Sequence, residues 1–247
     1  MDISHLPPHL VVLYERRDHH RRGPKPALSQ DGVIAAAVAI ADAEGLAGVS
    51  MAKVAERLGF TTMSLYRYVK SKDDLLLLMA DRVNEKQAPT PTPESWRSGL
   101  EAWARGVFGI YRTHSWLLQV PMSSPPAGPS QLLWLESALQ NLVALPVHEG
   151  FKLQIIQLLH GYARGEAQLS SDLSGATRAA DSDPDYGTIL RTVVDPVTHP
   201  ALSRLVANGI FDGPTGYDED VDFGFGLRTI LDGVEQLVES AANPSPT

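Results

Sequence analysis

The 247-residue chain contains no cysteine. That absence excludes disulfide staples, thiolate zinc sites and a cysteine nucleophile together, and it is neutral about the compartment. Long hydrophobic runs are missing too. The best candidates, residues 75–80 and 139–147, are short or interrupted by polar residues, whereas a spanning helix needs roughly 18 apolar residues. The N-terminus carries Pro7, Pro8 and early acids instead of the order of a secretory signal, so a cytoplasmic protein is expected. No stretch sustains strand alternation and no internal repeat is visible. A Gly-x-Ser-x-Gly elbow, a P-loop and a Rossmann glycine signature are also lacking, which argues against a hydrolase or lyase working in a helical cavity. No carboxylate cluster marks a metal site, and neither metal nor cofactor is expected.

What is present is ordinary for a globular protein, with 43% hydrophobic and 20% charged residues. The length suits a small domain joined to a medium one. The net charge of −8 is unevenly spread: residues 1–87 sum to +1 and residues 88–247 to −9. Arg16, Arg17, Arg21, Arg22 and Lys25 crowd together beside His19, His20 and Gly23-Pro24. Residues 1–28 therefore read as a flexible basic arm, either a solvated tail or a phosphate contact.

Helical periodicity follows. Ser29 is a plausible N-cap for a helix with Ile34, Ala37, Val38 and Ala41 on one face, stopping near Glu44-Gly45. A second helix of about nine residues starts at Ser50, with Met51, Val54, Ala55 and Leu58 on one face and Gly59 just past its end. Thr61 or Thr62 opens a third short helix through Val69. Ser71 and Asp74 form a Ser-x-x-Asp start for a fourth, residues 72 to about 86. Three prolines in residues 87–93 break the pattern and set a boundary between a 29–86 domain and an 87–247 domain. Beyond it, helices are expected at 94–113, 131–145, 149–169, 199–210 and 219–241, with loose stretches at 122–130 and 170–186. The expected fold class is all-α.

Ala55 and Gly59, four residues apart, provide the small residue and the positive-φ turn that a helix-turn-helix requires. The stretch MAKVAERLGFTTMSLYRYVKSKDDLLLLMADRV resembles the N-terminal domain of the tetracycline-repressor (TetR) family. The family's Leu-Tyr-x-His/Tyr-Phe/Val element and following x-x-Lys-x-x-Leu are matched by Leu65, Tyr66, Tyr68, Val69, Lys72 and Leu75. The resemblance implies that Tyr66, Tyr68 and Lys72 lie near DNA phosphates, and that Thr61, Thr62, Met63 and Ser64 face base edges or the groove floor. Side-chain chemistry agrees: Thr and Ser hydroxyls serve either base pair, Met and Thr methyls pack on thymine, and Tyr and Lys suit phosphate oxygens. Ser50 can add a hydroxyl at a helix start. Arg67 is the single long guanine-competent side chain on the recognition helix, and Ala52 occupies an early position of the preceding one, so the operator sequence is not legible. Each residue also has a plainer role open to it: Ser50 as cap, Lys72 balancing Asp73 or Glu56, Tyr66 as core.

Residues 94–96 (ESW), 158–167 (LLHGYARGEA), 200–212 (PALSRLVANGIFD) and 222–238 (DFGFGLRTILDGVEQLV) are similar, in order, to the C-terminal domain of the tetracycline-repressor type. Helix 149–169 carries apolar residues on more than one face, and helix 219–241 repeats them at 3–4 spacing with Gly226 and Gly233 allowing close approach. That suits a homodimer built from these two helices, with a monomer in which the two helices close one core as the plainer alternative, and the resemblance implies a four-helix bundle about a two-fold axis. Two recognition helices then reach successive major grooves. The resemblance further implies a ligand cavity lined by Trp103, Val107, Met122, Trp134, Ala138, Gln157, His160 and Gly161, suited to a hydrophobic or aromatic effector. The histidines that hold a magnesium-bound tetracycline in that family are not matched, with Pro121 and Gly161 near the expected places. The function expected is a DNA-binding regulator: a homodimeric repressor released from operator DNA by a small molecule, or an activator of the same build.

Overall fold

The computed structural model describes residues 3, 5–19, 28–85, 88–120, 126–179, 186–211 and 219–242. Among these, every regular element is helical, as expected. In chain order they are α1 (Pro8–His19), α2 (Gln30–Glu44), α3 (Met51–Leu58), α4 (Thr62–Leu65), α5 (Lys72–Asn84), α6 (Trp96–Thr113), α7 (Pro129–Asn141), α8 (Glu149–Ala179), α9 (Tyr186–Val193), α10 (Pro200–Ala207) and α11 (Glu219–Ala242). No helix among the described residues is long and apolar enough to cross a membrane.

The head is α2 to α5. Its helix starts are chemically specified: the hydroxyls of Ser29, Ser50 and Ser71 accept from the backbone N–H of Gly32, Lys53 and Asp74 at 3.1, 3.2 and 3.0 Å, each cap contributing about 1 kcal/mol. Gly59 ends α3 in the left-handed region (φ 74°, ψ 28°), a conformation costing a residue with a Cβ roughly 1–2 kcal/mol. Val33, Ile34, Ala37, Val54, Leu65, Leu75, Leu78 and Met79 are buried together beneath these turns.

The larger domain is organised around α6 and α8, its most extensive helix pair, with α7 and α11 alongside. It grips the head through several polar ties. The indole of Trp134 on α7 donates to the Asn84 carbonyl at 3.0 Å. The Ser130 N–H donates to the Asp81 carboxylate at 2.9 Å. The Asp42 carboxylate on α2 accepts from the Trp116 indole and the His114 ring, each at 2.7 Å.

Three expectations are corrected. Residues 8–19 of the expected flexible arm form α1, which packs on α5. Leu13 is buried, and the Tyr14 hydroxyl donates to the Ala127 carbonyl at 3.0 Å. Pro8 suits a first helical turn, where its missing N–H is not needed; the apolar partner that holds α1 lies far away in sequence. His20, Arg21, Arg22 and Lys25 fall outside the described residues. The helix expected at 149–169 runs on to Ala179, across residues read as loose. Serines and aspartate disfavour starting a helix, yet extending an existing one adds a hydrogen bond per residue without a new nucleus. The recognition helix is shorter than the expected 61–69: α4 closes after Leu65 and a turn carries residues 66–68.

Candidate nucleic-acid interface and ligand site

The head presents residues 61–72 as a surface anchored from below. Leu65 and Val69 are buried, fixing the segment on the core, while Thr61, Thr62, Met63, Tyr66, Arg67 and Lys72 are exposed. Met63 and Tyr66 are large hydrophobics at 75% and 47% exposure, too open to be explained as core. Burying either in a groove recovers apolar area that the free molecule leaves in water. Thr61 is the N-cap of α4: its Oγ1 accepts from the Ser64 N–H at 3.3 Å and lies 3.0 Å from Ser64 Oγ. The two hydroxyls are thereby held together at the helix start, and Ser64 is half-buried. Tyr68 is half-buried as well, with its carbonyl accepting from the Gln30 side chain at 2.9 Å. Ser50 caps α3 through Lys53, whose ammonium pairs with Glu44. Lys70, exposed between Tyr68 and Lys72, is a further cation that sequence reasoning passed over. The alternation of buried Leu65 and Val69 with the residues between them was the available signal.

The residues expected to line a ligand cavity separate into groups. Trp103 and Trp134 are buried and pack edge to face, with ring centroids 6.2 Å apart. The Trp103 indole donates to the Trp134 carbonyl at 2.8 Å, and the Trp134 indole ties to the head as described. Both indole N–H groups are satisfied by the protein, so the pair braces α6, α7 and α5. Val107 and Ala138 are buried. Gln157 and Gly161 are exposed, on the face of α8 that also exposes Leu158, whereas His160 points inward and is half-buried. The structure thus does not bring Gln157 and Gly161 together with the inward residues: His160 sits at the edge of the buried stripe of Ile155, Ile156, Leu159 and Ala163, and Gln157 and Gly161 lie further round the helix towards solvent. Met122 lies outside the described residues.

His160 has neighbours that sequence reasoning missed. Its Nε2 lies 3.3 Å from the Tyr111 hydroxyl, with the rings edge to face at 6.1 Å. One turn further along α8, Arg164 donates to the Leu118 carbonyl at 2.8 Å. Burial, and secondarily the Arg164 charge, pull the His160 pKa below 6.5, leaving a neutral ring. Burial raises the Tyr111 hydroxyl, with Arg164 opposing. The i, i+4 spacing of His160 and Arg164 was the one sequence signal for this cluster. Beside it, Phe108, Phe223 and Tyr162 stack with centroids 4.2 and 5.3 Å apart, and the Tyr162 hydroxyl, pushed up to about 12 by burial and then by Glu166 and Asp222, donates to the Phe223 carbonyl at 3.0 Å. Among the described residues no group of histidines and acids is arranged to hold a metal ion.

Comparison with known proteins agrees with this geometry. Residues 33–79 match the family model for bacterial regulatory proteins of the tetR family, and residues 88–238 match the one for the tetracyclin repressor-like C-terminal domain. The chain is 44% identical over 164 residues to the HTH-type transcriptional repressor DrrR1 of Streptomyces coeruleorubidus, an alignment spanning 64% of this chain and 60% of that repressor's length. The crystal structure of apo ActR from Streptomyces coelicolor superposes with a TM-score of 0.71 at 25% identity, covering 90% of this chain and 100% of that one. ActR in complex with actinorhodin superposes with a TM-score of 0.70 at 26% identity, covering 89% and 99%. With family models matched in both halves, the second alone spanning more than half of the sequence, the chain belongs to the TetR family of bacterial regulatory proteins, which are DNA-binding regulators and not enzymes.

Proposed function

We propose that this protein is a cytoplasmic, homodimeric repressor that binds operator DNA through residues 61–72 and Ser50, and leaves it when a small hydrophobic or aromatic ligand enters the larger domain. The observation that carries the reading is the 61–72 surface, where Leu65 and Val69 are locked in the core and Thr61, Thr62, Met63, Tyr66, Arg67 and Lys72 face solvent. Hydroxyls and a methionine suit base edges, and tyrosines and lysines suit phosphates.

A second copy is the natural cover for the outer face of α8 and α11. Leu158, Leu169 and Leu173 on α8, and Phe225 and Leu237 on α11, are 42–67% exposed, and Gly161, Gly165 and Gly233 on the same helices have open space at their α-carbons. Pairing these helices about a two-fold axis sets two heads for two half-sites. ActR, crystallised with actinorhodin, supports a ligand-binding role for the larger domain. A ligand acts by its difference in affinity between the DNA-fitting and non-fitting arrangements. The ties from Asp42, Asp81 and Asn84 transmit that difference to the head.

The test is binding to the DNA upstream of the protein's own coding sequence across a salt series. Affinity should fall steeply with salt, and Lys72→Ala should weaken it and flatten the slope by about one. Equal binding by wild type and Tyr68→Ala/Lys72→Ala would overturn the assignment.

A further inference from the structure

Arg164 is a half-buried cation that has been given donors' work but, among the described residues, no counter-ion. Its Nη2 donates to the Leu118 carbonyl, and its charge lies close enough to the Tyr111 hydroxyl to oppose the rise that burial imposes on it, while a guanidinium carries five N–H donors. No carboxylate among the described residues pairs with it. The groups packed against it are a tyrosine hydroxyl and a histidine ring that burial and Arg164 itself hold in the neutral form. Val107, one turn before Tyr111, and Leu159 and Ala163, flanking His160 and Arg164, are buried and apolar. A charge beside such a wall is costly unless something negative meets it. The bond to Leu118 closes the 3-10 turn at Ser115–Gln119 and accounts for only one of the five donors.

We infer that Tyr111, His160 and Arg164 form the polar end of a ligand site, and that the ligand completing it carries an acidic oxygen, a carboxylate or an ionised hydroxyl, on a flat apolar skeleton. This rests on the effector reading above and narrows it to a chemical class. The acidic oxygen meets the free edge of the guanidinium, where charge-assisted and bidentate hydrogen bonds are strongest. The neutral imidazole and the phenol share one hydrogen bond and so keep one N–H or O–H between them, which orients it, and the ring system lies along the apolar side of α6 and α8. A cationic or uncharged ligand leaves Arg164 uncompensated and is selected against.

The experiment uses the full-length protein and calorimetric titration at neutral pH with two pairs of probes: naphthoate against naphthamide, and the acidic hydroxyquinone lawsone against its neutral methyl ether. The acid of at least one pair should bind about tenfold or more tighter than its neutral partner, the scale of one charge-assisted contact. The pair showing the preference tells a carboxylate from an ionised hydroxyl. Arg164→Gln should erase the preference, Arg164→Lys should keep part of it, and circular dichroism checks that both fold. If Arg164→Gln does not fold, the wild-type pairs and Tyr111→Phe, expected to reduce the preference, decide. Equal affinity within both pairs, a preference surviving Arg164→Gln, or no acid binding at millimolar concentration overturns the inference. A neutral probe that binds and releases the operator as well as its acid would sink the acidic class while leaving the effector reading standing.

Discussion

Replacing Asp42 tests how the head is fastened to the larger domain. One carboxylate oxygen accepts from both His114 and Trp116 at 2.7 Å, and Trp116 is among the largest fully buried side chains at 1% exposure. Asp42→Ala strands the indole N–H, a loss of about 1–3 kcal/mol for a buried unsatisfied donor. Asp42 keeps 33% of its side-chain surface and His114 13%, so water can enter the gap and partly satisfy the donor, which places the indole near the lower end. The lost His114 contact adds about 1 kcal/mol. The sum, about 2–3 kcal/mol, corresponds to a fall in Tm of roughly 4–12 °C for a chain of this size. Thermal unfolding at matched protein concentration reads it, since the subunit pairing proposed above would make Tm concentration-dependent. Asp42→Asn keeps a carbonyl acceptor for Trp116 and should lose less than half as much. In operator-release assays Asp42→Ala should need more ligand than wild type, because a loosened tie transmits less of the ligand's preference. A Tm within about 1 °C of wild type, with an unchanged ligand response, would refute the view that this carboxylate couples the domains.

Gly226→Ala would place a Cβ against the Tyr162 hydroxyl and ring, displacing Tyr162 from the carbonyls of Asp222 and Phe223. Chemical denaturation should show a loss of about 1–3 kcal/mol, the scale of overpacking, and no loss would mean the close approach relaxes freely. His160 binds its proton less readily in the folded chain than in the unfolded one, so stability should be level above pH 6.5 and decline below it until the native ring also titrates. His160→Gln should remove that part of the acid sensitivity in pH-dependent denaturation; an unchanged curve would contradict a buried neutral ring. Leu158→Arg places a charge on the open face of α8 and should shift sedimentation from dimer to monomer while leaving far-UV circular dichroism intact. A persistent dimer would move the interface elsewhere.

The head was legible in the sequence because its determinants are local. Ser29, Ser50 and Ser71 cap the helices they precede, Gly59 takes the left-handed turn, and Leu65, Val69 and Leu75 fall on the buried face that their spacing requires. The helical class was legible for the same reason, through periodicity and the lack of strand alternation. Contacts between distant residues were not. The docking of α1 depends on α5 and on Ala127, and the continuation of α8 past residue 169 follows from a helix already nucleated. In the larger domain, tryptophans, leucines and a histidine could each have been wall or brace. Packing alone turned Trp103 and Trp134 into a hydrogen-bonded brace and Gln157 and Gly161 outward, and it set Tyr111 and Arg164 beside His160. Sequence by itself determined that this chain has a helix-turn-helix on an all-helical body, since caps, turns and periodicity act within a few residues. Only the tertiary structure decided that Arg164 sits half-buried in that body with no carboxylate partner among the described residues, because burial and charge pairing are properties of residues that meet across the fold.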